Sequence, residues 1–163
     1  MAHMSPIVLI LGHSLVRRLC HDLETGFDQW ADVNFNLEGT AVVFMHSVGG
    51  PKEPKFRMFD LHVVKRLSLD IIILETRTND FTCTGPEVVG SEIDDFVCFL
   101  LDNLTTRKVG VCHVIPRVFS CFTSDTSFIT CATALKQCTR AVLGDLPNVF
   151  CTSPFSSLIR IFT

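Results

Sequence analysis

The sequence predicts a three-layer α/β/α sandwich on a parallel sheet of about five strands, of the flavodoxin-like kind. Three observations predict it. Short aliphatic, β-branched runs recur along the chain, segments with helical spacing separate them, and the two alternate from one end to the other. Runs that are apolar at successive positions suit strands buried on both faces, and parallel strands need helical crossovers to join them.

The elements follow in order. Residues 7–11 form the first strand, closed by Gly12, and Ser14 then opens a helical pattern with Leu15, Leu19 and Leu23 four apart. Residues 41–45 form the second strand, closed by Gly49-Gly50-Pro51. A helix is expected over 56–67, with Phe56, Phe59, Val63 and Leu67 on one face. Residues 70–74 are the clearest strand. Residues 86–104 are the clearest helix: Pro86 stands near its start, and Val89, Ile93, Phe96, Val97, Leu100 and Leu104 keep the helical period. A fourth strand over 109–115 stops at Pro116, a helix over 127–143 ends at Gly144, and 148–151 make a weaker fifth strand.

Composition bounds the function. The 163 residues amount to one domain, 5–163, after Met1-Ala2-His3-Met4, which reads as a cloning scar. Hydrophobic residues are 47% and charged ones 19%, enough apolar surface for a core and against a disordered chain. The net charge of −3 gives no basic excess for phosphate backbones, so a dedicated nucleic-acid binder is not expected. No apolar run approaches the roughly 18 residues of a membrane span. The eight cysteines, Cys20, Cys83, Cys98, Cys112, Cys121, Cys131, Cys138 and Cys151, include no C-x-x-C pair. Buried free thiols are therefore favoured over disulfides, a zinc site has little support, and the pattern leans to a reducing, intracellular setting. Asn103-Leu104-Thr105 fits a glycosylation acceptor, a pattern short enough to arise by chance.

In open α/β sheets ligands bind beyond the carboxyl ends of the strands, which directs attention to the residues there. After strand one stands Gly12-His13-Ser14-Leu15. Ser14 fits a nucleophile whose own amide, at a helix N-terminus, helps to hold an oxyanion; it equally fits a simple helix N-cap, and position alone favours the cap. After strand two, His46-Ser47-Val48-Gly49-Gly50 places paired glycines where a backbone amide could approach a ligand, or where the chain merely turns into Pro51. After strand three, Thr76-Arg77-Thr78-Asn79-Asp80 offers Asn79 as an amide donor to an oxyanion, or as an Asx-turn or cap. The first loop lacks the glycines and hydroxyls of a phosphate cradle, which weakens a flavin or nucleotide reading.

Taken in order, a serine after strand one, a glycine pair after strand two and Asn-Asp after strand three resemble the SGNH (GDSL-like) hydrolase family over residues 7–151. Ile115-Pro116-Arg117 and the stretch from His46 to Gly50 look like the compact SGNH domains of animal retroelement-derived proteins. The resemblance implies ester hydrolysis through an acyl-enzyme on Ser14. Gly50 (or Gly49), Asn79 and the Ser14 amide match its oxyanion donors. It implies no metal and no cofactor, with a small ester as substrate at the carboxyl edge of the sheet.

Three departures qualify this. His13 stands where the family has an Asp that orders the loops around the site. Arg77 replaces a glycine, and its side chain would fill the cleft or hold an anionic group. None of the six histidines follows an Asp at the Asp-x-x-His spacing that supplies the family's base. The block that normally follows strand five is expected to be truncated. A serine without a base is a weak nucleophile, general-base help being worth about 10²–10⁴-fold. His46, near the end of strand two, is a candidate surrogate base, though a loop histidine is its plainer role. Asp80 and Arg77 are accessory candidates. The tail, with Phe155, Leu158, Ile159, Ile161 and Phe162, would have to cover an apolar face or pair with a second copy, so a homodimer is a further expectation. The alternative to an impaired esterase is an inactive SGNH-like domain used for ligand binding or oligomerisation.

Overall fold

A computed structural model describes residues 5–12, 14–25, 35, 37–47, 61–75, 85–112 and 125–152. Its elements are β1 (Ile7–Gly12), α1 (Ser14–Thr25), β2 (Val42–Ser47), α2 (Leu61–Val64), β3 (Ile71–Glu75), α3 (Pro86–Asn103), β4 (Lys108–Cys112), α4 (Asp125–Leu143) and β5 (Val149–Thr152). The five strands form one sheet in the order β2-β1-β3-β4-β5, and every pairing is parallel. The order reverses after β2, so β1 and β3, both central, lead their helices away from the carboxyl edge.

Both faces of the sheet are buried along β1, β3 and β4, as the continuous apolar runs predict, whereas on the edge strand β2 Val42 and Phe44 are exposed on one face. Leu9, Leu11, Ile72, Leu74, Val109 and Val111 project into one core with Val89, Ile93, Val97 and Leu100 of α3 and Leu135 and Leu143 of α4. Val8, Ile10, Val43, Ile71 and Ile73 project into a second core with Val16 of α1 and Ala41. The alternation along β1 and β3 is therefore apolar against apolar, and each buried side chain contributes roughly 1.5–3 kcal/mol. This is the α/β/α layering.

Each helix shows why it forms where it does. In α3, Val89, Ile93, Val97 and Leu100 fall on one stripe, Pro86 occupies the first turn where no amide partner is lost, and the Leu104 N–H closes the end on the Leu100 carbonyl at 2.9 Å. Gly90 lets α3 and α4 approach closely, since a methyl there would sit 3.3 Å from the Cys138 β-carbon. The helix expected over 56–67 ends earlier than predicted: α2 stops at Val64, and Leu67 lies in the bend that delivers buried Leu69 to β3. Residues 56–60 lie outside the described residues, as do 113–115 of the expected fourth strand. The other ends differ from the expectation by one or two residues, because parallel pairing continues past the apolar runs: Ser47 still pairs with Gly12, and Glu75 with Cys112.

Candidate functional site

The carboxyl edge of the sheet is built from the five strand-ending residues Gly12, Ser47, Glu75, Cys112 and Thr152. Register joins them: Gly12 pairs with Ser47, Glu75 with Cys112, and Cys112 with Thr152. Ser14 is the first residue of α1, two positions beyond the last residue of β1. The strand-to-helix placement read from the sequence therefore holds for its backbone. At that position its amide is one of the four at the helix start without an intrahelical acceptor.

His46 lies within β2 rather than after it. It pairs with Leu11, and so shares the face of Leu9 and Leu11, while Ser47 shares that of Ile10 and Gly12. The second face is the one α1 covers. The imidazole thus starts from the side of the sheet opposite α1, an unfavourable origin for a base serving Ser14. His13, Gly49, Gly50, Arg77, Asn79, Asp80 and His113 lie outside the described residues.

Sequence reasoning passed over Glu75 and Cys112. Glu75 ends β3 between β1 and β4, and it is the one charged residue among the five strand ends. A methyl on Gly12 would lie 2.8 Å from Glu75 Oε2, 2.9 Å from its β-carbon and 2.5 Å from Val16 Cγ2. Glycine is therefore required at the end of β1, where the Glu75 side chain and the first turn of α1 close over the backbone. Beside it, the Cys112 thiol is pushed up to about 12, first by burial and then by the Glu75 charge. That thiol stays protonated at neutral pH and is a poor nucleophile. The available signal was a single acid directly after the apolar run Ile71 to Leu74. Among the described residues no group of three or more His, Cys, Asp and Glu side chains could hold a metal ion.

No family model and no curated protein matches this chain. Solved structures do. A candidate GDSL-like lipase from Parabacteroides merdae superposes with a TM-score of 0.64 at 12% identity, over 90% of this chain and 76% of that one. A GDSL-like lipase from Bacteroides thetaiotaomicron gives 0.64 at 15%, over 88% and 66%. The chain has the SGNH-hydrolase fold. The psychrotrophic esterase EstA of a Pseudoalteromonas species, solved with monoethylphosphonate as inhibitor, is similar over 91% of this chain and 77% of its own, at a TM-score of 0.57 and 12% identity. At such identities the likeness carries the architecture, and residue roles rest on this chain's own geometry. No described helix is long and apolar enough to cross a membrane.

Proposed function

We propose that this SGNH-fold chain is a serine ester hydrolase of low turnover acting through Ser14. The observation that carries the reading is the position of Ser14 at the first residue of α1, directly beyond β1, at the edge where such sheets bind ligands. Ser14 Oγ attacks the carbonyl carbon of a small ester, forming a C–O bond and a tetrahedral oxyanion. The Ser14 amide, with Gly50 (or Gly49) and Asn79, donates to that oxyanion. The alcohol leaves with a proton, and water then releases the acid from the acyl-serine. Low turnover is part of this reading because His46, the surrogate base read from the sequence, starts from the far face of the sheet. Arg77 and Asp80 flank Asn79 in sequence and tune the pocket. The compact animal retroelement-associated subtype and a homodimer belong to the same reading.

A second reading has support from the same placement of His46: a non-catalytic domain that binds a ligand at this edge. One comparison separates them. Hydrolysis of a short-chain nitrophenyl ester is measured with the wild-type chain and with Ser14→Ala. The hydrolase reading expects the wild-type rate to exceed that of the variant, because only the wild type can form the acyl-serine. Equal rates leave the binding domain.

A further inference from the structure

We propose that Glu75 is a positioning residue whose carboxylate, set between the end of β1 and the first turn of α1, braces the turn that carries Ser14. This rests on the hydrolase reading for its catalytic consequence but not for its structural one.

Three observations converge. The first is contact geometry. Glu75 Oε2 and Val16 Cγ2 both come within 3 Å of the position a β-carbon on Gly12 would take, so the carboxyl group and the first turn of α1 converge beside the end of β1. The second is charge. The first turn of α1 contains no acidic residue of its own. The amides of Ser14 to Arg17 have no intrahelical acceptors, and the helix dipole favours an anion beside them. Glu75 brings that anion from β3. The third is reach. Glu75 pairs in register with Cys112 of β4, while its Oε2 comes within 2.8 Å of the position a β-carbon on Gly12 of β1 would take, which puts the side chain at the junction of β1, β3 and β4.

A carboxylate so near an oxyanion site has an opposing effect, since it repels developing negative charge. The two effects predict opposite signs, and one isosteric substitution decides between them. Glu75→Gln keeps the shape and removes the charge; Glu75→Asp keeps the charge on a shorter stem.

The full-length chain and both variants are followed in two ways. Amide hydrogen exchange at residues 14–17 reports the bracing. The rate at which a nitrophenyl alkylphosphonate phosphonylates Ser14, forming the Ser O–P bond and expelling nitrophenolate, reports the consequence. Glu75→Gln is expected to speed exchange at these amides and slow labelling, each by about tenfold, the size a charge at a helix terminus supports. Glu75→Asp should recover part of both. The melting temperature of Glu75→Gln should fall by no more than the few degrees that one helix-terminus charge supports and should partly recover in Glu75→Asp, which a simple packing defect would not allow. Unchanged exchange in Glu75→Gln overturns the proposal, and so does faster labelling, because the charge would then oppose the oxyanion rather than order the turn. If the wild-type chain is not labelled at all, the hydrolase reading fails, while exchange still decides the role of Glu75.

Discussion

The strand β3 carries a carboxylate at each end, and the two meet different surroundings. At the amino edge, just before β3, Asp70 is tied to backbone on every side. Its Oδ2 accepts the Ile7 N–H at 2.9 Å, and its own N–H donates to the Ile7 carbonyl at 2.9 Å. Its carbonyl accepts the N–H groups of Arg107 and Lys108 at 2.9 and 3.1 Å and the Thr106 hydroxyl at 3.3 Å. One residue thus pins the starts of β1, β3 and β4 in register. The Arg107 guanidinium, 3.4 Å away but 82% exposed, adds little to this. At the carboxyl edge, Glu75 faces a glycine, a helix start and a half-buried thiol. The difference teaches how an α/β sheet divides its labour. At the amino edge Asp70 ties three strand starts together through backbone hydrogen bonds, while at the carboxyl edge Glu75 joins β3 to the end of β1 and the start of α1 by packing.

The sharpest way to break the carboxyl edge alone is Gly12→Ala. The added methyl would meet Val16 at 2.5 Å and Glu75 at 2.8 and 2.9 Å, and two of these contacts are to side-chain atoms close to their own backbone or held by packing. Overpacking of this kind costs about 3 kcal/mol at the upper end of its usual range. Chemical denaturation should show that loss, together with a fall in any Ser14-dependent hydrolysis, because relief requires α1 to move. A variant as stable as the wild type would mean that the edge is not closed over Gly12.

Asp70→Ala tests the other end. It leaves the half-buried Ile7 amide without its side-chain acceptor, which costs about 2 kcal/mol. Its effect should appear in stability alone, with Ser14-dependent hydrolysis per folded molecule unchanged. Equal loss of stability and of specific activity would erase the distinction between the two edges.

How much of this was legible beforehand follows from the physics of each feature. The strands were readable because burial on both faces leaves a continuous apolar run, as in Ile71 to Leu74, and α3 because Val89, Ile93, Val97 and Leu100 repeat at the helical period. Strand ends were misread by a residue or two because pairing, not hydrophobicity, decides them: Ser47 is polar yet lies beside Gly12. Ser14 was legible because its position follows from one local junction. Glu75 was not, because its meaning depends on Gly12, Val16 and Cys112, which approach it only through parallel pairing of segments distant in sequence.

The smallest effect is also the most specific to the carboxyl edge. Burial and the Glu75 charge raise the Cys112 thiol from 9.0 to about 12 in the folded chain. Between those values the unfolded chain has lost the proton and the folded chain keeps it, so the unfolded state binds fewer protons and stability falls as pH rises. The contribution is complete below the unfolded value and is lost progressively as pH climbs toward the folded one, at up to about 1.4 kcal/mol per pH unit. The Cys20 and Cys151 thiols are also raised, chiefly by burial. The observable is therefore a difference: urea stability of the wild type minus that of Cys112→Ala, followed from pH 8 upward. That difference should shrink or change sign as pH rises, and it should do so more gently in the Glu75→Gln background, where one of the two causes is gone. Parallel curves for the wild type and Cys112→Ala would mean that the thiol is not held in its protonated form, and that neither its burial at the end of β4 nor the Glu75 charge raises it.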